Sequence, residues 1–285
     1  MKYLITGRSG QLAQSFIRTL EAQSIDYSAP EESQLDITDI RIVTDAVDSY
    51  RPDVIINCAA YNFVDKAEQE RNVAFSVNAF GPQNLARAAV KRKAILVHFG
   101  SDYVFDGTKE HDLYVENDLT KPVNEYGKSK LAGEQHILEE LDQYLIMRLS
   151  WVFGRGEQNF IHKLLQWSKT SEWLKIACDE FSVPTSTQTA VDVTLHALEK
   201  GMTGLYHLTN TGYCSRYEWA RFILSTLRIK KFISPVTMDT FHLLAQRPKF
   251  SAMSNKKLSD LLNIRIPTWE EAVKVFLKDT EASYE

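Results

Sequence analysis

The chain has 285 residues, which at roughly 150 residues per domain suggests one large domain or two unequal ones. Its 33 basic and 37 acidic residues give a formal net charge of −4, which argues against a protein that binds nucleic acid through a wholly basic surface. The composition, 44% hydrophobic and 25% charged, is that of a folded globule. No apolar run approaches the ~18 residues of a transmembrane helix.

Two features of the sequence bear on the cellular compartment. The N-terminal stretch turns polar after five residues, too early for the apolar segment of a secretory signal. Cys58, Cys178 and Cys214 are odd in number, lie far apart and lack CxxC spacing, so we expect neither a disulfide framework nor a zinc site. We therefore expect a cytoplasmic protein with no metal, no membrane association and no nucleic-acid partner.

Short apolar runs, which predict strands, alternate with helical periodicity through the first half of the chain. The predicted strands cover residues 2–6, 25–28, 54–56, 94–99 and 144–149. The predicted helices cover residues 11–21, a segment capped by Thr38 or Asp39, residues 66–91 with an interruption near Gly81 and Pro82, and residues 125–141. This alternation is typical of right-handed βαβ units and predicts an α/β fold with a doubly wound parallel sheet of the Rossmann type.

Beyond about residue 150 the alternation loosens. Helical segments at residues 159–168, 189–199, 215–227 and 269–278 are separated by short strands, such as residues 205–208. We expect a dinucleotide-binding domain over residues 1–150 and a smaller, mainly substrate-binding region over residues 151–285. The boundary between them is soft, and the chain can cross it.

A glycine-rich turn follows the first predicted strand and opens directly into the first helix. Gly7 and Gly10, followed by the small Ala13, form a G-x-x-G-x-x-A pattern. Glycine lets backbone N–H groups approach a pyrophosphate, the small third residue lets helix and strand pack closely, and the helix N-terminus supplies positive potential. Because strand, turn and helix occur together, the pattern predicts a dinucleotide site rather than a purely structural turn.

The sequence leaves the choice between NADPH and NADH open. An acid at the end of the second strand would favour the free ribose hydroxyl of NADH, but Asp26 lies too early in that segment. Arg8 in the glycine turn is a candidate ligand for the 2′-phosphate of NADPH, and a solvated loop arginine is the alternative.

Tyr126 and Lys130 stand four residues apart on a predicted helix and therefore share a face. An unperturbed phenol has a pKa near 10, and we expect the neighbouring ammonium to lower that pKa toward the working range, so that Tyr126 can serve as a general acid toward a carbonyl oxygen. Lys130 can also hold the cofactor ribose. Ser101 follows the preceding strand, at the edge where α/β sheets bind ligands, and its hydroxyl can polarise the same carbonyl.

These motifs resemble the extended short-chain dehydrogenase/reductase family, and within it the reductases of dTDP-linked 4-keto-6-deoxy sugars. The likeness extends from residue 1 to about residue 278 and is densest in residues 51–57, 101–107, 126–134 and 148–154. It implies hydride transfer from NADPH or NADH to C4 of dTDP-4-dehydro-L-rhamnose, which gives dTDP-L-rhamnose. In that reaction Tyr126 would donate the proton, and Lys130 would tune the pKa of Tyr126. Ser101, at a position where the family usually has threonine, would hold the carbonyl oxygen.

The resemblance also implies the residues that bind the two ligands. The expected cofactor residues are Gly7, Arg8, Gly10, Gln11, Leu12, Asp36, Ile37, Ala59, Ala60, Tyr61, Tyr126 and Lys130. The expected substrate residues are Asn62, Val64, Ser101, Asp102, Tyr103, Trp151 and Arg247. Asn62 stands where the family has threonine, and Arg247 would pair with the diphosphate unless it is a surface arginine.

Some members of the family dimerise through magnesium bound by acidic residues, one of them on the first helix. Here that helix carries no acid before Glu21, and magnesium and similar hard cations need carboxylate oxygens. We therefore expect a monomer or a weak homodimer without a metal bridge.

Three alternatives remain open at this point. A dehydratase would carry a second carboxylate after Asp102, where this chain has Tyr103. An epimerase or another 4-reductase of the family would share the same motifs, and an epimerase would retain its cofactor tightly. A non-catalytic regulatory subunit, related to the beta subunit of methionine adenosyltransferase, would have little reason to keep Ser101, Tyr126 and Lys130 together.

Overall fold

The computed structural model describes residues 1–110 and 112–281. The strands of the first half are β1 (Tyr3–Thr6), β2 (Tyr27–Ser28), β3 (Val54–Asn57), β4 (Ile95–Ser101) and β5 (Tyr144–Leu149). The helices between them are α1 (Gln11–Ala22), α2 (Ile40–Tyr50), α3 (Val64–Ala67), α4 (Arg71–Phe75), α5 (Gly81–Arg92) and α6 (Glu125–Glu140).

The second half of the chain has shorter strands and more separate helices. Its strands are β6 (Val152–Phe153), β7 (Trp173–Ala177), β8 (Phe181–Ser182), β9 (Thr185–Ser186), β10 (Gly204–His207), β11 (Cys214–Ser215) and β12 (Phe232–Val236). Its helices are α7 (Phe160–Thr170), α8 (Thr187–Glu199), α9 (Arg216–Thr226), α10 (Lys256–Leu262) and α11 (Trp269–Glu281). No helix among the described residues combines the length and the apolar character that a membrane crossing needs.

A six-stranded sheet organises the molecule, with the strand order β2-β1-β3-β4-β5-β10 and every pair parallel. The predicted doubly wound parallel sheet is therefore confirmed. The sixth strand, β10, comes from beyond residue 150, and α8 packs against α1. The chain thus returns to the sheet after residue 150. The division into a dinucleotide-binding domain over residues 1–150 and a substrate-binding region over residues 151–285 stays a proposal.

Residues on the two faces of the sheet enter different cores. Ile5 and Ile56 belong to the core beneath α1 and α8, whereas Leu4 and Ile55 pack against α2, α5 and α6. Because both faces are covered, the central strands are continuous apolar runs rather than alternating ones. A third core, centred on the fully buried Trp219, lies among α7, α9 and α11.

The predicted interruption near Gly81 and Pro82 was wrong. The break falls earlier, between α3 and α4, and a π-helical segment, Ser76–Phe80, runs directly into α5. Proline has no N–H to donate, and the change from π to α hydrogen bonding accommodates it at the start of α5. A Cβ at Gly81 would lie 2.5 Å from Cδ1 of Ile37, so glycine lets α5 pack closely there.

A buried ion pair joins α6 to β5. Nη2 of Arg148 lies 2.7 Å from Oε2 of Glu134, Nε of Arg148 lies 3.1 Å from both carboxylate oxygens, and the two side chains are 5% and 1% exposed. A Cβ at Gly100 on β4 would collide with the Glu134 carboxylate, so only glycine leaves room for the pair. The pair therefore fixes where α6 lies on the sheet.

We expect Glu134→Ala to destabilise the protein by about 3 kcal/mol or more, because it leaves the Arg148 guanidinium buried without its partner. The matched control is Glu139→Ala, which removes an exposed carboxylate from the same helix and should change stability by less than about 0.5 kcal/mol. Urea unfolding of both variants measures the difference. Equal stabilities for the two variants would contradict this role of the ion pair.

Candidate active site

A cavity of 460 Å³ lies at the carboxyl ends of the strands, where the strand order reverses between β1 and β3. In open α/β sheets this switch point is where ligands bind. One wall comes from the β1–α1 turn and the segments after β3 and β4, and a second comes from α6. The third wall is built from the chain around β6, from the start of α7 and from α9.

The glycine turn has the close packing and the unfilled polar positions that suit a dinucleotide. Gly7 has φ +67°, and a Cβ there would lie 2.6 Å from the backbone nitrogen of Ala59. No side chain caps the N-terminus of α1 after Gly10. Oε1 of Gln11 is buried without a hydrogen-bond partner among the described residues, while its Nε2 donates to Val152 O at 3.3 Å. The residues present therefore fit a bound dinucleotide.

The expected cofactor residues divide between the cavity wall and its surroundings. Those that line the cavity are Gly10, Gln11, Leu12, Ala59, Ala60, Tyr126 and Lys130. Gly7 underlies the wall, and Tyr61 is held by its backbone N–H, which donates to Oδ1 of Asn78 at 2.8 Å.

Arg8, Asp36 and Ile37 do not line this cavity. Nη1 of Arg8 donates to Ala29 O at 3.1 Å, and its Nε lies 3.3 Å from Oε1 of Glu31, just after β2. Oδ1 of Asp36 accepts a hydrogen bond from the backbone of Thr38 at 2.8 Å. Ile37 is buried next to Gly81.

The three expected catalytic residues line the cavity together. Tyr126 lies in the first turn of α6, and Ser101 lies at the end of β4 on the same cavity. The Tyr126 hydroxyl lies 3.5 Å from Oδ1 of Asn62. Nζ of Lys130 donates to the carbonyl oxygen of Phe99 at 2.7 Å. One helical turn thus places the phenol and the ammonium at the same sheet edge.

The pKa shifts at these residues follow from burial. Burial raises the pKa of Tyr126 to about 12, against the opposing effect of the nearby Ser101 hydroxyl, and Asp102 raises it further. Burial lowers the pKa of Lys130 to about 8, although Glu134 acts in the other direction. The expected lowering of the phenol pKa was therefore wrong, because burial dominates the pKa of this phenol. The phenol of Tyr126 is therefore neutral at physiological pH.

Asp102 lines the cavity but has partners within the protein. Its Oδ2 accepts hydrogen bonds from Ser182 at 2.8 Å and Ser251 at 2.6 Å, so it links β4 to the C-terminal region. The residue is 3% exposed, and burial raises the pKa of its carboxyl group to about 6, which both serines oppose.

The other expected substrate residues occupy two places. Asn62, Val64, Tyr103 and Trp151 line the same cavity. Arg247 borders a neighbouring cavity of 540 Å³, where its terminal nitrogens contact Asp65 at 3.0 and 2.6 Å and the Ala245 carbonyl at 3.1 Å.

Sequence reasoning missed a set of cavity residues from the C-terminal region. Their only signals were the helices predicted over residues 159–168 and 215–227, and nothing in the sequence placed those helices beside the sheet edge. The missed residues are Gln158, Asn159, Phe160, Lys163, Trp167, Arg216 and Trp219.

The fold and this site define a Rossmann-type dinucleotide-binding protein with a serine, a tyrosine and a lysine at the switch point. The sequence model described as RmlD substrate binding domain matches residues 1–282. The chain belongs to this family. The resemblance drawn from the motifs is thereby confirmed.

Individual relatives agree over nearly the whole chain. The chain is 35% identical to a dTDP-4-dehydrorhamnose reductase of Burkholderia thailandensis, covering 98% of this chain and 99% of the relative. A solved dTDP-4-dehydrorhamnose reductase of Clostridium acetobutylicum superposes with a TM-score of 0.95 at 34% identity, covering 99% and 100% of the two chains. The Bacillus anthracis enzyme, solved in complex with NADP, has a TM-score of 0.93 at 35% identity, covering 98% and 99%.

The raised pKa of Asp102 has a measurable consequence for stability. Its carboxyl group binds a proton more tightly in the folded protein than in the unfolded chain, so this stabilisation is fully present below pH ~4 and is lost as the pH rises through about 6. Asparagine cannot ionise. We therefore expect the stability of Asp102→Asn, relative to the wild type, to increase by about 2 kcal/mol between pH 4 and pH 7.

Urea unfolding of the wild type and Asp102→Asn at both pH values measures this difference. The comparison cancels the titration of all other groups that the two proteins share. A constant difference between the two proteins across this range would show that Asp102 titrates at its ordinary pKa.

Proposed function

We propose that the protein is an NAD(P)H-dependent reductase that converts the C4 keto group of dTDP-4-dehydro-L-rhamnose to the hydroxyl of dTDP-L-rhamnose. The observation that carries the proposal is the meeting of Tyr126, Ser101 and Lys130 in the cavity beside the glycine turn. The relatives named above are reductases of this substrate and match the chain over nearly its full length. The NADP complex of one relative supports the cofactor class.

In this proposal the β1–α1 turn receives the dinucleotide pyrophosphate. Gly7 and Gly10 allow close backbone approach, and the uncapped N-terminus of α1 supplies N–H donors and positive potential. Ala59 and Ala60 leave space for the nicotinamide end, and Asp36 and Ile37 are proposed for the adenine end. When bound, the reduced nicotinamide supplies the hydride.

Arg8 bears on the choice between NADPH and NADH. Its guanidinium is 47% exposed and lies beside Ala29 and Glu31, just beyond β2, where α/β folds bind the adenine ribose. A 2′-phosphate there would compete with Glu31 for the guanidinium. We propose that the protein accepts both cofactors.

Tyr126 provides the acid in the proposed reaction. As hydride reaches C4, the carbonyl oxygen becomes an alkoxide, and the neutral phenol donates its proton to that oxygen. The Ser101 hydroxyl donates a hydrogen bond to the same oxygen, and the Lys130 ammonium stabilises the negative charge left on the phenol. The balance is one hydride and one proton added across the C4 carbonyl.

The sugar is proposed to lie among Asn62, Val64, Tyr103 and Trp151, which surround the phenol in the cavity. The edge of the Tyr103 ring packs against Tyr126, with ring centroids 5.7 Å apart and planes at 81°. This contact limits the directions from which a carbonyl can approach the phenol. Arg247 is proposed to contact only substrate atoms that reach the neighbouring cavity.

The alternatives make different predictions for the purified protein. A dehydratase needs a second carboxylate after Asp102, and the structure has the aromatic ring of Tyr103 there. An epimerase would retain its nicotinamide through purification, whereas a reductase must exchange it in each turnover. A non-catalytic subunit would oxidise no cofactor with any 4-keto nucleotide sugar.

We also propose a cytoplasmic location and a monomer or weak homodimer. Cys58, Cys178 and Cys214 are free thiols, which suits a reducing compartment. No cluster of three or more potential metal ligands occurs in residues 1–110 and 112–281.

We expect Tyr126→Phe to lower kcat by at least ~100-fold, because phenylalanine keeps the ring but has no proton to donate. Affinity for the reduced cofactor should change little. Tyr144→Phe is the matched control, since Tyr144 stands at the opposite end of β5 from the cavity. Steady-state oxidation of NADPH with dTDP-4-dehydro-L-rhamnose provides the measurement. Unchanged turnover in Tyr126→Phe would remove the phenol from the mechanism.

The lowered pKa of Lys130 predicts the pH dependence of the reaction. Lys130 is charged below pH about 8 and neutral above it, whereas Tyr126 stays protonated throughout this range. We expect kcat to fall about tenfold per pH unit above pH ~8, because the phenolate left after proton transfer loses its stabilising charge. In Lys130→Met the rate should be low and independent of pH between 6.5 and 9.5. A wild-type profile without a descending limb up to pH 10 would contradict this role.

A further inference from the structure

Arg216 lines the cavity but belongs neither to the glycine turn nor to the proposed catalytic residues. It is the first residue of α9, immediately after the capping box in which Ser215 and Glu218 exchange hydrogen bonds. Its backbone N–H donates to the carbonyl oxygen of Glu180 at 3.2 Å, and its side-chain Nε donates to Oε2 of the same residue, also at 3.2 Å. Backbone and side chain are thus both fixed to Glu180.

The flat face of the guanidinium is fixed as well. Cζ of Arg216 lies 3.5 Å from the ring centroid of Trp151, which is a close cation–π contact. Trp151 itself has φ +39°, a left-handed backbone conformation that a bulky residue rarely adopts. Its indole stacks on Trp219 with centroids 5.7 Å apart and planes at 10°. Only a planar guanidinium can stack on the indole and bond to Glu180 at the same time.

This arrangement leaves the outer edge of the guanidinium available. The two terminal nitrogens of Arg216 form no hydrogen bond within residues 1–110 and 112–281, and the side chain is 21% exposed and lines the cavity. Lys163 on α7 lines the same cavity, is exposed, and has no ion-pair partner in the described part of the chain. Arg247 differs, because its terminal nitrogens are engaged by Asp65 and Ala245.

The charges around the cavity favour an anion at this end. Besides Lys130 at the catalytic end, the cationic cavity residues are Lys163 and Arg216. The carboxylates beside them are the serine-bound Asp102 and Glu180, which pairs with Nε of Arg216, so the cations outnumber the carboxylates. A planar guanidinium with a free edge is the side chain best suited to bind two phosphate oxygens at once.

We propose that Arg216 binds the diphosphate of the nucleotide sugar, with its plane fixed by Trp151 and Glu180 and with Lys163 as a second cation. The assignment rests on the proposed function, since it names the residue that holds the anionic part of that substrate. It also joins two parts of the site, because the same indole that is proposed to border the sugar supports the guanidinium that holds the phosphates.

The test compares ligands that differ only in phosphate content. Calorimetric titration of the wild type and Arg216→Gln with thymidine, dTMP and dTDP separates contacts to the nucleoside from contacts to the phosphates. We expect Arg216→Gln to bind dTDP roughly 30-fold more weakly and thymidine with unchanged affinity. The weakening is the size expected when hydrogen bonds between a guanidinium and a phosphate are lost. Arg216→Lys should restore the charge without the paired geometry and give an intermediate affinity for dTDP.

Kinetics provide the second readout. The KM for the sugar nucleotide should rise in Arg216→Gln, while kcat changes less than ~3-fold and the KM for NADPH is unchanged, as expected for a binding contact remote from the reacting carbon. Arg221→Gln is the matched control, because Arg221 is exposed on the same helix and lines a different cavity. It should bind dTDP like the wild type.

Three outcomes would overturn the assignment. Equal dTDP affinity in the wild type and Arg216→Gln, with normal wild-type reduction of the sugar, would remove Arg216 from the diphosphate site and leave the proposed function standing. Equal weakening of thymidine and dTDP binding would show that Arg216 only supports Trp151. Failure of the wild type to bind dTDP at all would overturn both the assignment and the proposed function.

Discussion

Helix α6 depends on a charge pair that water does not reach. Its first turn carries Tyr126 and its second carries Lys130, and one turn further along Glu134 forms the buried pair with Arg148 of β5. A buried pair stabilises only when its geometry is good, and its loss leaves an uncompensated charge, so the helix has a single favourable position on the sheet. Gly100 permits that position, because a residue without a side chain leaves room for the Glu134 carboxylate. The placement of the phenol against Ser101 follows from this constraint.

The protonation states of Tyr126 and Lys130 suit a reduction, which needs a proton donor. An oxidation would instead begin with Tyr126 as a phenolate. Burial keeps the phenol of Tyr126 protonated and brings the pKa of Lys130 close to neutrality. A proton donor is needed when a carbonyl becomes an alkoxide, and a nearby ammonium is needed once the proton has left. Burial also raises the pKa of the Asp102 carboxyl group to about 6, against the hydrogen bonds from Ser182 and Ser251.

Much of the fold could be predicted because the first 150 residues follow local rules. Apolar runs bounded by polar turns indicated β1, β3, β4 and β5, and the glycine turn indicated the switch point. The meeting of Ser101, Tyr126 and Lys130 in one cavity was predictable for the same reason, since each belongs to a motif contiguous in the chain. The uninterrupted helix through Pro82 was not predictable. It depends on a π-helical segment, and π-helical hydrogen bonding leaves no clear sequence pattern.

The end of the cavity around Trp151 was far less predictable. Arg216 and Lys163 reach it from helices distant in sequence, and only the packing of α7 and α9 around Trp219 brings them near Trp151. The phenol pKa was also mispredicted, because spacing on a helix gives the neighbouring charge but not the loss of water around it. Local motifs therefore indicated the proposed chemistry, whereas the proposed substrate contacts required the tertiary structure.

The central claim is that this site moves a hydride to C4 of a 4-keto sugar nucleotide. The most direct measurement uses NADPH carrying deuterium at both C4 positions of the nicotinamide with dTDP-4-dehydro-L-rhamnose, and locates the deuterium in the product by NMR. We expect one deuterium at C4 of dTDP-L-rhamnose for each NADPH oxidised. A sugar product without deuterium, or one formed without net oxidation of the cofactor, would contradict it.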